Sequence, residues 1–60
     1  MKLTNKQLDE YYDMETQWGK VVSIRECMMI GKKIYEYVLV AENENGYHLI
    51  DSDTMQLIWS

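Results

Sequence analysis

Between Lys20 and Val40 the chain reads KVVSIRECMMIGKKIYEYVLV, two apolar, β-rich runs broken only at Gly31-Lys32. β-Branched and aromatic residues fill both runs and no proline interrupts them. A glycine leading a two-residue loop suits a type II′ turn, so the segment is expected to be a tight hairpin. The turn sets the register: Met29 faces Ile34, Met28 faces Tyr35 and Ile24 faces Leu39. One sheet face then holds Val22, Ile24, Met28, Tyr35, Tyr37, Leu39 and Ala41, interrupted by Glu26. The other holds Val21, Ser23, Arg25, Cys27, Met29, Ile34, Glu36, Val38 and Val40.

A half-buried antiparallel strand alternates apolar and polar residues. Val21-Val22 and Tyr37-Val38-Leu39-Val40 do not alternate, and neither does Leu57-Ile58-Trp59. One helix covers one face, so the second apolar stripe needs another cover. That cover is a sheet curled into a small barrel, a second copy of the chain, or a different protein.

The other elements are shorter. Thr4 and Gln7 match the capping box T-x-x-Q, and Leu3 with Leu8 forms a hydrophobic staple. Asp9 and Glu10 near the positive end of the helix dipole strengthen the reading. A helix over about residues 5–15 is expected, with Leu8, Tyr11, Tyr12 and Met14 as its apolar face. Asn45-Gly46 tolerates positive φ in a second hairpin turn, and the Asp51-Ser52-Asp53-Thr54 run reads as a third turn. Strands are expected over about 20–30, 33–42, 47–50 and 55–59. The fold class is α+β: an N-terminal helix packed on a four-stranded antiparallel meander, open or curled towards a small barrel.

Sixty residues make one small domain, which buries only about 60% of the surface its unfolded chain exposes. Disulfides, a metal or oligomerisation usually compensate for so small a core. The single cysteine, Cys27, excludes an internal disulfide, and one Cys with one His cannot fill a structural zinc site. Good packing or self-association remains. A lone thiol fits a reducing compartment, and the polar, acidic N-terminal residues lack the apolar run of an export signal, so a cytoplasmic location is expected. No run approaches the roughly 20 apolar residues that span a bilayer, and no membrane partner is expected.

The net charge of −4 is uneven. Lys2 and Lys6 open the chain, and Asp9, Glu10, Asp13 and Glu15 follow without a base. Lys20, Arg25, Lys32 and Lys33 lie in the hairpin against Glu26. From Ile34 onward there are five acids and no Lys or Arg. Phosphate binding relies on Lys and Arg, so direct nucleic-acid binding is disfavoured.

The densest candidate site is AENENGYHLIDSDT, Ala41 to Thr54, which holds four carboxylates and the only histidine. An EF-hand loop with Gly46 at its sixth position would put Ala41 first and Ser52 twelfth, so its first and its bidentate ligands are missing. Asp51 and Asp53 have the spacing of a magnesium pair, but the run has the chemistry of an Asx-turn and no phosphate cradle accompanies it. His48 falls opposite Glu42 or opposite Ala41, depending on the length of the Asn43–Gly46 loop, and no nucleophile lies in reach. Cys27, among methionines, reads as a small packed hydrophobe. No catalytic residue, metal ligand or cofactor site is assigned.

An enzyme is therefore not expected. The leading expectation is a small acidic protein-binding module, an inhibitor or modulator of a host protein that competes with nucleic acid for a basic surface. In size and charge balance the chain is similar to small inhibitors that phages and mobile elements encode, and no motif carries the likeness. Asp9, Glu10, Asp13, Glu42 and Glu44 are the acidic contact candidates. Tyr12, Trp18, Val38, Val40 and Trp59 are the apolar and aromatic candidates for partner or dimer contact. A self-assembling homodimeric structural or regulatory subunit is the first alternative. A barrel-like nucleic-acid-binding module is the second.

Overall fold

The computed structural model describes residues 3–60; Lys2 lies outside them. One short helix precedes five strands: α1 Asn5–Tyr11, β1 Glu15–Thr16, β2 Gly19–Ile30, β3 Lys33–Asn43, β4 Gly46–Asp51 and β5 Leu57–Trp59. The strands form a single antiparallel meander in chain order, and β1 and β5 do not meet. The sheet is open.

The helix begins as its sequence dictates. The Thr4 hydroxyl accepts from the Gln7 backbone N–H, and the Gln7 side chain accepts from the Thr4 N–H. It stops earlier than expected, at Tyr11 rather than near Glu15, because the next residues find sheet partners. Tyr12 is extended and Asp13 is left-handed at φ 66°. The Asp13 N–H then donates to the Val21 carbonyl, and the Val21 N–H donates to Met14. Glu15 and Thr16 become an extra edge strand, closed by a turn in which the Thr16 hydroxyl donates to the Gly19 carbonyl at 2.8 Å. The sheet thus has five strands, not four.

The β2–β3 hairpin follows the turn-derived register, with Met29 opposite Ile34, Met28 opposite Tyr35 and Ile24 opposite Leu39. Gly31 has φ 65° at the first turn position, as a II′ turn demands. One shift breaks the ladder, between Val21 and Ser23. The extra residue is Val22, and this β-bulge reverses the faces of the two valines. Val21 turns inward against Ala41 and is fully buried, whereas Val22, expected in the core, is 44% exposed.

The core is small. Val21, Leu39, Ala41 and Ile50 form its buried cluster, and Tyr11, Met14, Trp18 and Ile24 pack against it. Tyr11 is the helix's contribution to that packing, and no helix residue is fully buried. This cluster occupies one side of the sheet. Glu26, the polar interruption on that side, lies opposite Tyr37 in the ladder and accepts its phenolic hydrogen.

Candidate functional site

The opposite side of the sheet carries the chain's unpaired apolar surface. Alternation along β3 places Ile34, Glu36, Val38, Val40 and Glu42 on it. Cross-strand pairing adds Met29, Arg25 and Ser23 from β2, and Tyr47, Leu49 and Asp51 from β4. Trp59 of β5 pairs with Leu49 and so shares its face. Met29 is 68% exposed, Ile34 64% and Trp59 59%, and Tyr47 and the bulged Val22 are exposed as well. An open hollow of about 570 Å³ lies here, lined by Val22, Arg25, Met28, Val40, Tyr47 and Leu49 together with Ser23.

Charge is divided between the two ends of the β2–β3 hairpin, though by the same alternation Lys33 shares the core side with Tyr35. At the β2–β3 turn stand Lys32 and Lys33, the latter with its ammonium 4.9 Å over the Tyr35 ring. At the other end Lys20 pairs in the ladder with Glu15 and with Glu42, and its ammonium lies 3.4 Å from the Asp13 carboxylate. Glu44 occupies the adjoining β3–β4 turn. Two acidic segments far apart in sequence, 13–15 and 42–44, therefore meet around a single lysine. Both partners of the Lys20–Asp13 pair are exposed, so it adds little stability.

The sequence-derived contact candidates divide accordingly. Val40 lines the hollow, Trp59 is exposed and pairs in the ladder with Leu49 of its lining, and Asp13, Glu42 and Glu44 gather at the acidic end. Asp9 and Glu10 are exposed on the helix and do not join the hollow. Tyr12 is exposed at the helix end, on the segment that carries Tyr11 and Met14 to the core. One candidate is corrected, and another is partly buried. Val38 is fully buried between Arg25 and Asp51 in the ladder and has no surface to offer. Trp18 packs against the core cluster, brought there by the β1–β2 turn that the sequence reading lacked.

Four residues missed in the sequence matter here: Val22, Met28, Tyr47 and Leu49 all line the hollow. Tyr47 and Leu49 were legible once the β3–β4 register was known. His48 faces Ala41, because Asn43 pairs with Gly46 and the turn residues are Glu44 and Asn45. The Asn43 amide oxygen accepts from the Asn45 N–H at 2.8 Å and lies 3.0 Å from His48 Nε2. That oxygen can only accept, so Nε2 carries the proton. His48 Nδ1 is enclosed and has no hydrogen-bond partner among the described residues.

The Asp51–Thr54 run is a turn, with the Asp51 carboxylate accepting from the Asp53 N–H at 2.9 Å. Among the described residues, no three His, Cys, Asp or Glu side chains are grouped to hold a metal ion. Cys27 departs from its expected packing: it is exposed, with φ 51° in the middle of β2. It borders a second hollow of about 300 Å³ with Glu26, Glu36 and Tyr37.

Two tyrosines are perturbed. Burial first, then the hydrogen bond to Glu26 and the nearby acids, hold the Tyr37 hydroxyl above its ordinary pKa of 10.0, although the Leu3 N–H donating to it at 3.1 Å acts the other way. The Tyr47 hydroxyl is raised chiefly by its hydrogen bond to Glu42, then by that carboxylate's charge and by burial. Both groups hold their protons more tightly folded than unfolded. Stability is thus full below about pH 10 and falls as pH rises through the folded-state values, where the unfolded chain ionises first. Urea midpoints measured from about pH 8 to 11 should fall at the alkaline end, and Tyr37→Phe should flatten that fall.

Among the described residues no helix is long and apolar enough to cross a membrane. No protein-family model matches the chain, and neither a curated protein nor a solved structure shows significant similarity to it.

Proposed function

We propose that the protein is a small non-enzymatic binding module whose open sheet face docks against another protein chain. One observation carries the reading: among the described residues, five of the eight exposed large apolar side chains, Val22, Met29, Ile34, Tyr47 and Trp59, belong to one face of the sheet. Scattered apolar residues are ordinary on a protein surface, but a contiguous patch bounded by charge marks an interaction site. Its exposed aromatic and methionine side chains are of the types enriched at protein interfaces.

A photo-reactive residue tests the reading directly. Placed at Tyr47 it should yield discrete covalent protein adducts inside the producing cell. Placed at Glu10, on the exposed helix, it should yield none. Equal labelling at the two positions would remove the open face as the interface.

A partner found this way also meets a point substitution. Val40→Arg puts a cation into the hollow and should weaken binding at least about tenfold, as an unpaired charge forced into an apolar interface does. Unchanged far-UV circular dichroism would show the fold intact.

A further inference from the structure

We infer that the left-handed backbone at Cys27 is a stop against strand pairing, which keeps the free edge of β2 from adding to the sheet of another copy of the chain. β1 and the Asp13–Met14 segment occupy that edge only as far as Val21. Among the described residues no strand pairs with it from Ser23 to Ile30, and none of these eight residues is buried. The edge is distinct from the open face, because its hydrogen-bonding groups point along the plane of the sheet.

A free edge is a template for another strand. This one is of the aggregation-prone kind. From Val22 to Ile30 it reads VSIRECMMI, with no proline or glycine, and its only charges, Arg25 and Glu26, cancel. Segments of high β-propensity, low net charge and no proline are those that stack between chains. Lysine and proline, two common guards of an exposed edge, are both missing from the stretch.

The backbone supplies the guard instead. Ile30 and Lys33 flank a two-residue turn and so exchange hydrogen bonds with each other. Counting back in twos, Met28, Glu26 and Ile24 turn their N–H and C=O groups to β3. Met29, Cys27, Arg25 and Ser23 are the positions that face outward. An added strand needs those groups in an unbroken row. Cys27, in the middle of the row, has φ 51° and drops out of the ladder between the Glu26–Tyr37 and Met28–Tyr35 pairs. No residue is inserted there, since one position of β2 still stands against one of β3. Rotation at Cys27 alone therefore separates the broken edge from a continuous one. The Val22 bulge closes the row at its other end. Left-handed cysteine is strained, and no chain reversal in mid-strand requires the strain.

Substitution at the exposed Cys27 sets this backbone without entering the core. Cys27→Val favours the extended region, because a β-branched residue resists positive φ. In sedimentation equilibrium it should self-associate at least about tenfold more tightly than the wild type, as a freed edge does. The Arg25 and Met29 amides should gain protection from hydrogen exchange in the associated form. Adding Arg25→Pro removes an outward N–H and no ladder donor, and should return this variant to the wild-type state. Cys27→Gly accepts positive φ freely, so it should leave association unchanged and raise the unfolding midpoint by a few degrees.

A Cys27→Val chain that associates no more than the wild type, folded or not, overturns the inference. So does association that survives Arg25→Pro, or that leaves the Arg25 and Met29 amides open to exchange. A Cys27→Gly chain that unfolds below the wild type would mean an extended Cys27 in solution, since glycine weakens a regular strand, and overturns it equally.

Discussion

Gly19→Ala is expected to destabilise the fold by about 3 kcal/mol or more. Gly19 has φ 115°, a conformation L-residues rarely adopt, and its missing Cβ is where the Glu42 carbonyl oxygen lies. The added methyl group would overlap backbone, not a movable side chain, so β2 and β3 must part or the β1–β2 turn must rebuild. Both movements disturb Trp18 and Val21, which supply the core beside the turn. Gly46 provides the control. It has φ 117° but nothing within 4 Å of an added Cβ, so Gly46→Ala carries the conformational cost alone, about 1–3 kcal/mol. Thermal unfolding should separate the two, since each kcal/mol moves the midpoint by roughly 4–8 °C in a domain of this size. Equal midpoints would mean that the strand contact at Gly19 does not limit stability.

Leu39→Ala should be comparably severe, at about 2–5 kcal/mol. Leu39 is fully buried in the cluster with Val21, Ala41 and Ile50, and the remaining side chains are too few to fill its place. Five residues away on the same strand, Ile34 is 64% exposed, and Ile34→Ala should change stability by about 0.5 kcal/mol at most. The pair tests the two-sidedness of the sheet by equilibrium denaturation of the dilute chain. A large loss at Ile34 under those conditions would mean that the open face is covered within the monomer.

The distribution of legible and illegible features has a physical cause. The β2–β3 register was readable because Gly31-Lys32 fixes a two-residue turn and the period of two propagates from it. The helix start was readable because Thr4 and Gln7 are local partners. The bulge at Val22 was not, since adjacent valines fit a regular strand as well as a bulged one, and only the packing of Val21 against Ala41 selects between them. A two-residue strand at Glu15–Thr16 has no pattern of its own, and its pairing with Gly19 and Lys20 ended the helix early. The left-handed backbone at Cys27 has no glycine, asparagine or aspartate to announce it.

The surplus of apolar residues on two faces implies a second apolar stripe, but not its membership. Val38 was assigned to it and is buried, while Tyr47 and Leu49 were not and line the hollow. The acidic segment that first resembles a metal site resolves into a strand between two turns. Its carboxylates lie apart, with Glu42 and Glu44 at one end of the open face and Asp51 buried at a turn.

Oxidative footprinting tests the covered-face account most directly. Met29, Tyr47 and Trp59 are exposed on the open face of the isolated chain, and Tyr12 is exposed at the helix end. Oxidation of the first three is expected to fall several-fold inside the producing cell relative to the dilute purified protein, with Tyr12 unchanged. Equal oxidation of Met29, Tyr47 and Trp59 in both settings would contradict it.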